Sequence, residues 1–314
     1  MRVVCLGAHI LDVLGRPVTD IPAGQGRRVL DEIRLTAAGT AGGTAVDLAK
    51  LGAEVVGIGA VGDDGAGRML RSLLTDHGVD ASRLVVRPGG ATPSTILPIR
   101  PDGSRPALHA PGVMATLTAD DVDPDLVARA DVLHVGGPDV LGGFATADLP
   151  GILRHAVAHG TTVSMDLLSV GRAGLLDELG ALWEHVDWFL PNDDQLRALT
   201  GRHDLEDAAG ELRAAGVGGV VVTCGADGAL LVDGAVERVP ALAVDVVDTT
   251  GCGDAFCAGF LVGLDRGLAP PGAARLGTAT AALVAGGLGS DAGIADLDTT
   301  LAFLAEHGGR GVPV

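Results

Sequence analysis

From residue 115 onward, short apolar runs alternate with helical stretches, and that alternation limits the fold more than any other feature of the chain. Strand candidates lie at 132–135, 162–165, 188–190 and 220–223, with helix candidates between and after them at 149–159, 175–185, 195–199 and 205–215. Repeating units of this kind favour a mostly parallel sheet covered by helices on both faces. The run R-V-V-C-L-G at 2–7 reads as a further buried strand at the start of the chain. Hydrophobic residues make up 47% of the chain and aromatic residues only 2%. The core must therefore be built from Ala, Val and Leu, which allows helices to approach the sheet closely.

Two segments fall outside this pattern. Residues 16–38 are rich in Pro, Gly and Arg, with weak alternation around Val29-Leu30 and Ile33 to Leu35. Residues 92–110 alternate around the turn Pro101-Asp102-Gly103 and read as a hairpin. Together they predict a small sheet standing outside the main body, formed by roughly 13–38 and 91–110 of a single domain spanning 1–314. Between them, 39–52 passes from a glycine-rich loop into a helix ended by Gly52, followed by a strand at 54–61 and a helix at 69–78. A β meander is expected at 229–244 and helices at 273–285 and 297–306.

The chemistry is concentrated in V-D-T-T-G-C-G-D-A-F-C-A-G-F-L-V-G-L, residues 247–264. It reads as a turn handing over to a buried helix that Ala255, Ala258, Gly259 and Gly263 keep thin. Gly251 and Gly253 let the backbone approach a ligand, and the unpaired amides of a helix start suit an anion. Asp254 in the opening turn is itself anionic, so it reads as a base beside the anion rather than as its receptor. That combination points to phosphoryl transfer.

Other classes are excluded by what the chain lacks. Its net charge of −18 argues against nucleic acid or anionic membrane as a partner. There is one lysine, Lys50, in an A-K-L-G context, so the Gly-Lys-Ser/Thr phosphate loop, the protein-kinase lysine and a pyridoxal Schiff base all lack a place. Cys5, Cys224, Cys252 and Cys257 form no C-x-x-C pair and read as reduced, mostly buried thiols of a cytoplasmic protein. Cys252 sits where a helix start could lower a thiol pKa, but its amide is the more useful group. No signal peptide and no membrane-length apolar run is seen.

The motif D-T-T-G-C-G-D-A-F-C-A-G-F resembles the closing signature of the ribokinase-like (PfkB) carbohydrate kinases, D-T-x-G-A-G-D-x-F-x-x-G. The resemblance implies a ribokinase-like three-layer α/β fold with a mostly parallel central sheet and a small β-sheet lid. It also implies ATP and Mg2+, a small-molecule sugar acceptor, and a homodimer made through the lid. By resemblance Asp254 is the base, and the amides of Gly251, Cys252 and Gly253 form the anion hole. V-V-V-T-C-G-A-D-G-A-L-L resembles the family's T-x-G-x-x-G turn, placing Thr223, Gly225 and Gly228 along the nucleotide. P-N-D-D-Q resembles P-N-x-x-E: Asn192 matches, while Gln195 replaces the glutamate and leaves Asp193 or Asp194 to reach magnesium through water. Asp248, with Thr250 and the loop at 287–293, matches a segment that holds potassium in relatives.

On the acceptor side, Asp12 matches the family aspartate that binds substrate hydroxyls, a role suited to an acceptor of two hydrogen bonds. The loop carrying Gly39, Thr40 and Gly43 is recognisable, but Gly43 stands where the family has asparagine and Ala38 where it has glycine. Gly112-Val113-Met114 replaces its G-A-N. These departures predict a roomier acceptor site. They leave a sugar of ribose, fructose or ketose type, a nucleoside of adenosine type, and a non-catalytic binding protein on the same fold as the readings to be separated. Scarce aromatic residues favour a sugar over a stacked purine.

Overall fold

Alternate residues of the first strand, β1 (Arg2–Gly7), enter opposite cores: Val4 and Leu6 pack on one side, Val3 and Cys5 on the other. This two-sided burial is what a central parallel strand requires. The remaining strands in chain order are β2 (Ile10–Arg16), β3 (Glu32–Ala38), β4 (Glu54–Ile58), β5 (Ala60–Gly62), β6 (Val85–Arg87), β7 (Ser94–Pro98) and β8 (Leu108–Ala110), then β9 (Val132–Gly136), β10 (Thr162–Asp166), β11 (Trp188–Phe189), β12 (Gly219–Thr223), β13 (Ala229–Val232) and β14 (Val236–Val239). The computed structural model describes residues 1–101 and 103–307. Asp102 of the expected hairpin turn and residues 308–314 of the expected domain lie outside the described residues.

The main sheet has eight strands in the order β14-β13-β12-β11-β10-β9-β1-β4. From β4 to β12 every pairing is parallel, and β13 and β14 add an antiparallel edge. One face carries the helices Leu149–Ala158, Asp193–Thr200 and Leu205–Ala214; the other carries Gly42–Lys50, Cys252–Asp265 and Pro270–Ala285. The last two helices meet almost backbone to backbone. A Cβ on Gly259 would lie 2.8 Å from the Leu276 carbonyl, and one on Gly263 would lie 2.7 Å from Ala273 Cα. Glycine in a helix costs up to ~1 kcal/mol, which this contact offsets.

A second sheet, in the order β3-β2-β7-β8, stands apart, with its own small cluster of Leu14, Leu97, Ile99 and Leu288. Expected strands within 16–38 and 92–110 supply three of its members, while β2 begins earlier than that expectation, at Ile10.

The segment at 175–185, expected as one helix, is instead a short helix Leu175–Glu178 and a single 3-10 turn Trp183–His185. The break lets Trp183 fold back, donate Nε1–H to the Leu176 carbonyl at 3.0 Å and pack edge-on against Phe189 at 5.3 Å. The helix expected at 69–78 begins earlier, at Gly65, because Asp64 caps it by accepting from the Gly67 amide at 2.8 Å. No helix among the described residues is long and apolar enough to cross a membrane.

Candidate active site

The helix Cys252–Asp265 opens on Gly251, which has no side chain to cap it and takes φ 80. A Cβ there would overlap Ser290, so the 287–293 loop is pressed against the turn. Asp248 joins the two segments: it accepts from the Thr250 amide at 3.0 Å, the Thr250 hydroxyl at 2.7 Å and the Gly289 amide at 3.1 Å. The Asp248 and Thr250 side chains are thus committed to holding the turn. The first amides of a helix have no intrahelical acceptor. Here the Cys252 amide makes only a long 3.4 Å bond to the Thr249 carbonyl, which leaves this end electropositive.

Asp254 lies in that first turn, partly buried, and its carboxyl is pushed up to about 7. Burial is the main cause, the Asp12 charge adds to it, and Arg105 opposes it. Asp12, on β2, is 6% exposed and is also pushed up to about 7, again chiefly by burial, with the Thr95 hydrogen bond and Arg105 opposing. One carboxylate from the main body and one from the small sheet therefore lie close enough for the charge of Asp12 to raise Asp254. Arg105 arrives from the β7–β8 connection, with Nε 3.3 Å from the Thr249 hydroxyl, Nη2 3.3 Å from its carbonyl and Asp248 at 3.8 Å.

Gly39 and Gly43 hold the adjoining loop for different reasons. Gly39 has φ 82, and a Cβ there would sit 2.9 Å from the Ile10 side chain. At Gly43 a Cβ would overlap Oδ2 of Asp254. The expected extra room is therefore not there: the Asp254 carboxyl fills the space that a side chain at 43 would take. Thr40 between them is 8% exposed, and its hydroxyl has no partner among the described residues.

Across the turn lies a cleft of about 540 Å³ lined by Thr223, Gly225, Gly228, Cys252, Gly253 and a run of small apolar residues from 241–246 and 278–285. Its size and lining suit a nucleoside. Gly228 is required there because a Cβ would overlap the Val239 carbonyl. Cys252, pushed up to about 12 chiefly by burial, is a neutral thiol. Asn192 bridges to Thr223 in the sheet, and its side chain caps the next helix reciprocally with Gln195, at 2.8 Å each way.

Gln195 also donates to the Leu167 carbonyl at 2.8 Å, so its role is to close a helix start. Asp193 pairs with Arg197, while Asp194 is 77% exposed with Arg197 3.8 Å away. Among the described residues, no three His, Cys, Asp or Glu side chains are grouped to hold a metal.

Several polar residues near Asp254 carried no motif. Asp47 is fully buried with neither carboxyl oxygen partnered, and burial holds its pKa well above the ordinary range. Asp166, at the end of β10, is raised by burial and by Asp254. Their signal in the sequence was a charged residue in an otherwise apolar run. Arg105 and Thr95 could be placed only by the pairing of distant strands.

Residues 1–296 match the family described as pfkB family carbohydrate kinase. A 1-phosphofructokinase of Haloferax volcanii is 34% identical, covering 83% of this chain and 84% of the relative. A putative ribokinase from Agrobacterium tumefaciens is similar in structure, with TM-score 0.85, 25% identity and 97% of each chain covered. A putative Ribokinase II from E. coli in complex with ATP and Mg2+ has TM-score 0.84 at 22% identity, covering 98% of this chain and 99% of the other, and shares the fold.

Proposed function

Because the chain belongs to the pfkB family of carbohydrate kinases, phosphotransferases that act on hydroxyl groups, we propose that it transfers the γ-phosphoryl group of ATP to a small sugar of ribose, fructose or related ketose type. The observation that carries this reading is Asp254 at an electropositive helix start with the Asp12 carboxylate near enough to raise its pKa. In the proposed mechanism, Asp12 accepts hydrogen bonds from acceptor hydroxyls and orients them. Asp254 removes the proton of the attacking hydroxyl as its oxygen bonds to phosphorus and the bond to the bridging oxygen of ADP breaks. A sugar hydroxyl is a poor acid, so this assistance contributes ~10²–10⁴-fold in rate. Charge on the transferring group falls on the amides of Gly251, Cys252 and Gly253 and on the nearby Arg105, and such positioning and charge stabilisation supply most of the remaining gain.

The nucleotide takes the cleft at Thr223, Gly225 and Gly228, with Asn192 at its edge. Magnesium, when bound, neutralises phosphate charge. Asp194 would hold it through water, since magnesium needs few direct protein ligands. The Asp248 turn and the 287–293 loop, which Asp248 ties together, are the segments that would hold potassium. Gly39 and Thr40 face the acceptor. The small sheet acts as a lid that excludes water, and its outer face pairs two copies into a dimer. The free cysteines fit a cytoplasmic location.

The test is ADP release with magnesium, ATP and a panel of pentoses, hexoses, ketoses, phosphorylated hexoses and nucleosides, in sodium and then potassium salts. Release with a sugar, faster in potassium, is the predicted result. Release with nucleosides alone establishes the nucleoside kinase instead, and clear sugar binding without release establishes a non-catalytic protein.

A further inference from the structure

One face of the small sheet carries a polar row that crosses all four strands. Thr36 on β3 is the register partner of Asp12 on β2, Asp12 of Thr95 on β7, and Thr95 of His109 on β8. Cross-strand partners share a face, so the row lies on the side that Asp12 turns to the acceptor. Within it, Thr95 Oγ1 and His109 Nδ1 are 3.1 Å apart, and Thr95 stands beside Asp12, whose pKa it helps to lower. The Thr95 hydroxyl has one proton. With that proton turned to the neighbouring Asp12 carboxylate, His109 Nδ1–H is the donor to the Thr95 oxygen. A neutral imidazole with Nδ1 protonated has a bare Nε2. Burial lowers the pKa of His109, which favours that neutral form. Nε2 has no partner among the described residues, and the ring is otherwise exposed.

We propose that His109 determines specificity for the acceptor: Nε2 accepts a hydrogen bond from a hydroxyl remote from the one phosphorylated, while Nδ1–H sets the orientation of Thr95 towards Asp12. Two strand spacings, roughly 10 Å between backbones, separate Asp12 from His109. A monosaccharide laid along the row presents hydroxyls towards both residues. The inference rests on the sugar kinase reading and adds a second recognition point to it.

The experiment compares wild type with His109→Phe and His109→Asn, using fructose, ribose and their singly deoxygenated forms. In His109→Phe the KM for the sugar rises about 5- to 100-fold, while kcat and the KM for ATP stay within about 3-fold. One deoxy sugar is discriminated by wild type and no longer by His109→Phe. His109→Asn, which keeps a donor at the Nδ1 position, recovers part of the loss. Histidine ¹⁵N spectra, with the His109 signal identified by its absence in His109→Phe, show the neutral tautomer protonated at Nδ1.

An active wild type with an unchanged sugar KM in His109→Phe overturns the inference alone, as does a His109 tautomer protonated at Nε2. A wild type that turns over neither fructose, ribose nor any other sugar defeats the kinase reading and the inference with it.

Discussion

Asp12 and Asp254 are both raised by burial, and each carboxylate stands in the other's neighbourhood, so their titration controls when the site can work. A base must be ionised to take a proton. With its pKa raised to about 7, Asp254 as the proposed base is protonated below that value and able to take a proton above it. The account predicts that kcat/KM for the acceptor rises from pH 6 to pH 8 and then levels. Asp254 owes part of its shift to Asp12, so Asp12→Asn should move the midpoint down as well as weaken acceptor binding. A flat profile over this range would contradict the assignment. The helix start carrying Asp254 was legible because Gly251, Gly253 and Asp254 form a contiguous pattern. Asp47, Asp166 and Arg105 were not, because isolated charged residues acquire meaning only when distant segments bring them to the same pocket.

At the level of elements, the helix Gly42–Lys50 and the helix Cys252–Asp265 meet at Asp254, the proposed base. The Asp254 carboxyl occupies the space a side chain on Gly43 would fill. Gly43→Ala therefore has to push the carboxyl aside, and a displacement near 1 Å can cost ~10²-fold in rate. We expect kcat to fall at least ~10-fold while circular dichroism and thermal melting show a folded protein; an unchanged kcat would mean that Asp254 works from another position. The departure of Gly43 from the family pattern was visible in the sequence. Its consequence was misread as added room, because a missing side chain does not reveal which neighbour moves in. The alternating strands and helices were legible from apolar periodicity, whereas the interruption of 175–185 depended on Trp183 finding the Leu176 carbonyl and Phe189.

Across the whole molecule, the small sheet has two unlike faces. Opposite the polar row lies an apolar one, in which Leu35, Val13, Ile96 and Leu108 are consecutive register partners across β3, β2, β7 and β8. Leu35 is 42% exposed, Ile96 56% and Leu108 58%, and Ile33 nearby is 65% exposed. An apolar row of this kind marks an interface, and sedimentation should find a dimer that the double substitution Leu35→Glu with Ile96→Glu converts to a monomer. A wild-type monomer at all concentrations would remove the lid-to-lid pairing. The alternating runs in 16–38 and 92–110 made a separate sheet legible, but its two faces depended on register between segments far apart in sequence. These scales meet at Asp254, set by its helix near the small sheet and proposed as the base of a sugar kinase. The most direct test of that role is acceptor-dependent ADP release by Asp254→Asn beside wild type, with ATP affinity measured in parallel. The account predicts turnover at least ~10²-fold lower with ATP binding nearly intact, and wild-type turnover in the variant would contradict it.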